Sequence, residues 1–328
     1  MSVRATTKWW VVLGIFVFGF GVGYLVRYAL PHGHAVSRIG EIRERSGGTL
    51  TNPLLECTEL PESISVGERR DLESRVQRMI DAKKQDGTLT EAAVYYRDLN
   101  NGPWFGIRED VKFSPASLLK VPLAMWYYSK ADEDPSILEQ AIEFKGPRGV
   151  SYVNFPPRMQ LEEGKTYTIE ALIQYMLQES DNDAANILDE FGGREKSADV
   201  YRDFGIQPSN TSDAYVIDVH TYASFFRILY NATYIGRAHS EHLLEILSRS
   251  SFTQGLRAGV PENVVVAHKF GEKVLDAETN TYQLHDCGIV YTGNTPYSLC
   301  VMTQGKDIAQ LASFIKDVSA LVFSEVTR

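Results

Sequence analysis

Basic charge is in short supply: 33 lysines and arginines stand against 42 aspartates and glutamates, a formal net charge of −9 over 328 residues. The shortfall lies in the main body, since residues 1–45 hold six basic and two acidic side chains while residues 46–328 hold 27 and 40. Such a body lacks the basic face that displaces phosphate counterions, which excludes a nucleic-acid binder. No H-E-x-x-H pattern occurs; His239 and His242 with Glu241 and Glu245 read as a solvent-facing helix surface, so neither a metal nor a cofactor is expected. Cysteine is scarce, at three. Cys287 and Cys300 lie equally far from the turn Gly293-Asn294, so a tight hairpin would set them opposite each other. A disulfide and a pair of small apolar core residues are both open readings. Cys57 follows Glu56, which argues against lipid attachment, and it has no partner in this scheme. What is abundant is core material: 44% hydrophobic and 11% aromatic residues exclude a disordered, collagen-like or coiled-coil chain.

One stretch lacks charge altogether. From Trp9 to Val26 the sequence reads WWVVLGIFVFGFGVGYLV, and Tyr28 to Leu30 extend the apolar run past Arg27. That length crosses a hydrocarbon core of about 30 Å at about 1.5 Å per residue, and it exceeds the apolar region of a cleavable signal peptide. Residues 9–30 are therefore expected to form an uncleaved transmembrane anchor, with residues 1–8 a cytoplasmic tail and the large domain on the extracytoplasmic side of the cell membrane. Residues 31–66, rich in Gly, Pro, Ser and Thr, read as a linker with one short docked segment at Asn52-Pro-Leu-Leu.

The folded domain is expected over 67–328. Glu68–Lys84 places Leu72, Val76, Met79 and Ile80 on one helical face. AAVYYRDL, the turn Asn100-Asn101-Gly102 and WFGI read as a hairpin. From about Ser117 to Ser248 the pattern turns helical, with a helical lobe placed at about 131–248. It returns to strands in VVVAHKF, YQLHDCGIVYT and PYSLCVMTQ, and closes with a helix from Asp307 to about Glu325. Strands at both ends around a helical middle predict an α/β (α+β) fold, in which an antiparallel sheet built from N- and C-terminal parts is flanked by helices and carries an inserted all-helical lobe. A cleft between lobes is the natural site.

Three short motifs occur in order: Ser117-Leu-Leu-Lys120, Ser180-Asp181-Asn182 and Lys269-Phe270-Gly271. A serine one helical turn before a lysine can pass its hydroxyl proton to the amine. A second copy, Ser313-Phe-Ile-Lys316, falls in the closing helix and reads as helix surface. Trp126-Tyr127-Tyr128 reads as core. His268 beside Lys269 either tunes the site's electrostatics or is structural, and Asp181 reads as fixing the local backbone rather than doing chemistry.

The ordered set resembles the penicillin-recognising serine hydrolases, and most of all the class A β-lactamases. The likeness spans roughly 67–328 and includes YYRDL…WFGI, ESDNDAANIL and LRAGVPENVVVAHKFG. The resemblance implies that Ser117 is the acylated nucleophile, Lys120 its activating neighbour and Ser180 the relay toward the leaving nitrogen. It also implies that Asn182 binds a substrate amide and Lys269 the substrate carboxylate, with backbone N–H groups of Ser117 and Glu272 as oxyanion hole beside Gly271. A second lysine nearby would help to lower the pKa of the activating one.

Two departures matter. Phe270 replaces the family's threonine and cannot donate a hydroxyl to a carboxylate, a loss of about 1.5–3 kcal/mol unless something substitutes. The stretch QPSNTSDAYVIDVHTYASFF holds no glutamate to activate water for deacylation; its only carboxylates are Asp213 and Asp218, each expected as an N-cap. The implied function is a membrane-anchored serine hydrolase acylated by a small β-lactam or by a cell-wall peptide amide. A slowly deacylating D,D-peptidase or penicillin-binding protein, an esterase-like hydrolase and a non-catalytic peptidoglycan- or partner-binding module remain alternatives.

Overall fold

The computed structural model describes residues 43–44, 49–52, 54–55, 66–100, 102–147, 153–193, 200–209, 215–293 and 295–328. The expected span at 9–30, Cys57 and Asp213 lie outside them, and among the described residues no helix is long and apolar enough to cross a membrane. In chain order, α1 (Val66–Gln85) precedes β1 (Leu89–Asp98) and β2 (Trp104–Ile107). Then come α2 (Lys120–Glu133), α3 (Ile169–Gln178), α4 (Asn182–Gly192), α5 (Val219–Asn231) and α6 (Arg237–Ser248). Strands β3 (Val265–Asp276), β4 (Thr281–Tyr291) and β5 (Tyr297–Gly305) follow, and α7 (Ile308–Val326) closes the chain.

The five strands form one antiparallel sheet in the order β2-β1-β5-β4-β3. The last strand pairs with the first, Cys300 opposite Tyr95 and Met302 opposite Ala93, so the two ends of the chain share a sheet. Side chains alternate across it with period two. Ala92, Val94 and Tyr96 pack with Leu72, Val76 and Ile80 of α1 and Leu311, Ile315 and Val318 of α7. Ala93 and Tyr95 join the opposite cluster, to which the helices between β2 and β3 contribute. Both faces are covered, which explains why β1 reads as an almost unbroken apolar run rather than an alternating one. Each fully buried aliphatic side chain contributes about 1.5–3 kcal/mol to this arrangement. Cys287 stands opposite Cys300 in the β4–β5 register, and the two form a disulfide.

The docked piece of the linker begins earlier than Asn52. The Glu241 carboxylate accepts from the backbone of Thr49, from Leu50 N at 2.6 Å and from Thr51 N at 2.7 Å, while Leu50 is buried. Glu241 is thus a docking residue rather than part of a free helix surface. The neighbouring histidines are not merely solvated either. His239 meets Asp132 at 2.7 Å, and His242 meets Glu170 at 2.7 Å, each tying α6 to another helix. These carboxylates lie on other elements, where sequence spacing gives no hint of them.

Candidate active site

Ser117 sits in a 3-10 turn, Ala116–Leu119, that runs directly into α2. The turn is held from the sheet side. Ser114 N donates to Gln283 Oε1 at 3.0 Å, and His285 Nε2 meets Ser114 O at 3.0 Å, so two β4 side chains hold Ser114 by its N–H and by its carbonyl. Burial pushes His285 down to about 4, so its ring is neutral and can donate through Nε2. Phe113 forms a bridge with Ile217 on the other side. Ala116, next to the serine, has φ 47°, a left-handed backbone that a non-glycine residue keeps only when its surroundings enforce it.

Strand β3 is an edge strand and passes close to this turn. A Cβ added at Gly271 would lie 3.1 Å from Pro115 O and 3.2 Å from Leu118 N. Glycine there is a requirement of close approach.

The second motif links α3 to α4. Ser180 also holds a left-handed backbone, φ 56°. Asp181 caps α4, its Oδ1 accepting Ala184 N at 2.8 Å, which is the backbone-fixing role read from the sequence. Asp218 likewise caps α5 through Thr221 N at 2.6 Å and pairs with Lys112.

The motifs converge on one hydroxyl. Lys269 Nζ donates to Ser180 Oγ at 2.8 Å and to Phe270 O at 2.8 Å. Lys120 Nζ lies 3.3 Å from the same Ser180 Oγ, and donates to Ser180 O at 2.5 Å and Asn182 Oδ1 at 2.7 Å. The partner expected for Lys120 is the Ser117 hydroxyl; its hydrogen bonds go instead to Ser180 and Asn182, 60 and 62 positions further along the chain. Hydrogen bonds of a catalytic relay are often incomplete until substrate arrives. Ser117, Ser180, Asn182 and Glu272 all border one cavity of about 590 Å³.

Burial dominates the electrostatics. It holds Lys120 down to about 7, against Asp181 and Glu272, which favour its charged form. Lys269 is fully buried and is pushed well below the usual lysine range by burial first and by the charge of Lys120 second.

Several wall residues were not anticipated. Glu179, Asp183 and Phe155 border the cavity. The Glu272 side chain does not face the cavity as a free carboxylate; it accepts Asn154 N at 2.8 Å, Asn154 Nδ2 at 2.7 Å and Phe155 N at 3.1 Å, and so straps that segment to β3. Glu179 Oε2 holds Arg158 N at 2.8 Å. The acidic run Glu179-Ser-Asp-Asn-Asp183 was the available sequence signal. His268, on the same strand as Lys269, meets Asp286 of β4 at 2.8 Å, both buried, and Asp286 also accepts Leu256 N.

A serine on a strained turn, bordering the same cleft as a hydroxyl shared by two buried lysines, matches the class of serine acyl-transfer hydrolases. The model of the beta-lactamase enzyme family matches residues 71–326, and the chain belongs to that family as an enzyme of the serine β-lactamase type. A β-lactamase of Bacteroides uniformis is 23% identical over 237 residues, covering 67% of this chain and 78% of its own. Among solved structures, a β-lactamase from Chitinophaga pinensis superposes with TM-score 0.66 at 19% identity, over 77% of this chain and 98% of its own. PBP-A, in a mutant solved as its acyl-enzyme complex with penicillin G, gives TM-score 0.64 at 20% identity, over 81% and 98%.

Proposed function

We propose that the protein is a membrane-anchored serine acyl-hydrolase working on the extracytoplasmic side, acylated at Ser117 by a β-lactam or a related cell-wall peptide amide. The observation that carries the reading is the Ser180 hydroxyl, held between Lys269 at 2.8 Å and Lys120 at 3.3 Å on the border of the cleft that Ser117 lines. Ser117 Oγ attacks the carbonyl carbon and forms the ester C–O bond. Its proton passes to neutral Lys120, and the nitrogen that leaves as the C–N bond breaks takes a proton through Ser180. Backbone N–H groups of Ser117 and Glu272 would receive the oxyanion, and Asn182 an amide of the substrate. Water then hydrolyses the acyl-enzyme. The Cys287–Cys300 disulfide supports an oxidising, exported location, and the uncharged run at 9–26 supports the anchor.

Slow release is the favoured form of this chemistry. The stretch 207–226 has no glutamate, and its described carboxylate, Asp218, is committed to a helix cap and to Lys112. The test is an intact-mass time course of the detergent-solubilised chain with a penicillin, against Ser117→Ala. An adduct that persists on wild type and is absent from the variant supports a penicillin-binding peptidase; a transient adduct with product accumulating supports a β-lactamase. If no adduct forms and an active-serine fluorophosphonate probe also fails to label Ser117, the binding-only reading takes over.

A further inference from the structure

Strand β3 reaches the cleft as an edge strand. Glu272 pairs with Leu284 of β4 on one side, and among the described residues no strand lies on the other. A hydrogen-bond donor that meets a developing oxyanion has to be held to within about 0.5 Å, which a strand restrained on one side alone does not ensure. The Glu272 side chain supplies the second restraint. Its Oε2 accepts Asn154 N at 2.8 Å and Asn154 Nδ2 at 2.7 Å, and its Oε1 accepts Phe155 N at 3.1 Å, so both oxygens are engaged. Hydrogen bonds to a carboxylate are among the stronger ones, and three of them fix one rotamer.

The segment gripped in this way is itself seated. The Phe155 ring packs edge-on against Phe252 at 4.9 Å and against Phe270 at 6.0 Å. A few residues on, Arg158 N donates to Glu179 Oε2 at 2.8 Å. Glu179 directly precedes Ser180 and Glu272 directly follows Gly271, so the stretch 154–158 ties the second motif to the third along the border of the cleft. The same carboxylate acts on the lysines through its charge. With Asp181 it favours the charged form of Lys120, and with Asp286 that of Lys269, against burial of both amines and, at Lys269, the charge of Lys120.

We propose that Glu272 is a positioning residue for acylation, its carboxylate gripping Asn154 and Phe155 so that the backbone N–H of the same residue stays where the oxyanion forms. The inference rests on acyl transfer at Ser117 and adds to it a side chain that acts without touching the reacting atoms. Loss of the grip lets the edge strand shift, which slows the chemical step more than it weakens substrate binding. Loss of the charge alone has a different signature. Without the carboxylate the Lys120 ammonium is less favoured, the amine is neutral at lower pH, and the acylation midpoint falls below its wild-type value near 7.

The experiment follows acylation of the full chain in detergent by intact mass, with a penicillin at rising concentration and at a series of pH values. Glu272→Ala should lower the limiting acylation rate by about 10- to 100-fold while the half-saturating concentration changes less. Glu272→Gln keeps an oxygen for Asn154 and should recover most of that rate, with its midpoint moved to lower pH. A wild-type limiting rate in Glu272→Ala overturns the grip. A midpoint that stays in place in Glu272→Gln overturns the part assigned to the charge, and where Glu272→Ala fails to fold that midpoint decides. An equal loss of rate in both variants with no midpoint shift makes Glu272 a residue of the fold alone and overturns the proposal. Phe155→Ala keeps its backbone N–H, so a loss equal to that of Glu272→Ala would move the effect to the ring and overturn the assignment to Glu272. If neither the penicillin nor a fluorophosphonate probe labels Ser117 in wild type, the acyl-transfer reading falls, and this inference with it.

Discussion

The chain contains Ser-x-x-Lys twice, at 117–120 and at 313–316, and the two copies could hardly differ more in surroundings. Ser313 and Lys316 are exposed on α7, whose opposite face buries Ile315 and Val318 against the sheet. Lys120 is buried, hydrogen-bonded to Ser180 and Asn182, and held down to about 7. Its serine follows a residue in a left-handed backbone and borders the cleft. One spacing therefore yields a solvated helix surface in one place and a candidate catalytic pair in the other. What converts the motif into chemistry is desolvation of the amine together with partners brought from two other segments.

That contrast can be broken most severely at the serine. Ser117→Ala should abolish covalent labelling and lower turnover by about 10⁶-fold, as nucleophile deletions do, while Ser313→Ala should leave both unchanged. Intact mass and turnover on one ester read both variants. Lys120→Gln should cost about 10²–10⁴-fold in acylation. For wild type the working form is the neutral amine, so the acylation rate should rise with pH through a midpoint near 7, and Lys120→Gln should remove that rise while Lys316→Gln keeps it.

On the other copy the buried neighbour, not the motif, should carry the effect. Ile315→Ala should destabilise the fold by about 2–5 kcal/mol in denaturant unfolding, against less than about 0.5 kcal/mol for Ser313→Ala. Smaller again, Asp218→Ala should cost about 0.5–2 kcal/mol through its lost cap, with the decay rate of the acyl-enzyme unaltered. A change in that decay rate would instead give Asp218 a part in deacylation.

Much of the architecture was legible because it depends on local pattern. The period of Leu72, Val76 and Ile80 marked α1, the turn at Asn100-Asn101-Gly102 marked the first hairpin, and the symmetry of Cys287 and Cys300 about Gly293-Asn294 anticipated their register. The three motifs in order carried the resemblance to the class A β-lactamases, and that resemblance grouped Ser117, Lys120, Ser180, Asn182 and Lys269. The strap at Asn154 and Phe155, the docking of Thr49–Asn52 on Glu241 and the histidine pairs of α6 were not legible, since each joins segments far apart in the chain.

The sequence by itself determined the main helices and strands, the acidic body and the uncharged N-terminal run, because these follow from spacing and composition, while the resemblance to the class A β-lactamases implied which polar residues belong together. Only the tertiary structure decided that Lys120 hydrogen-bonds Ser180 and Asn182 rather than Ser117, that Lys269 Nζ lies over the Phe270 ring, and that Glu179 and Asp183 border the cleft. The physical reason is that hydrogen-bond partners and desolvation depend on distances between residues up to 192 positions apart, and chain spacing does not encode them.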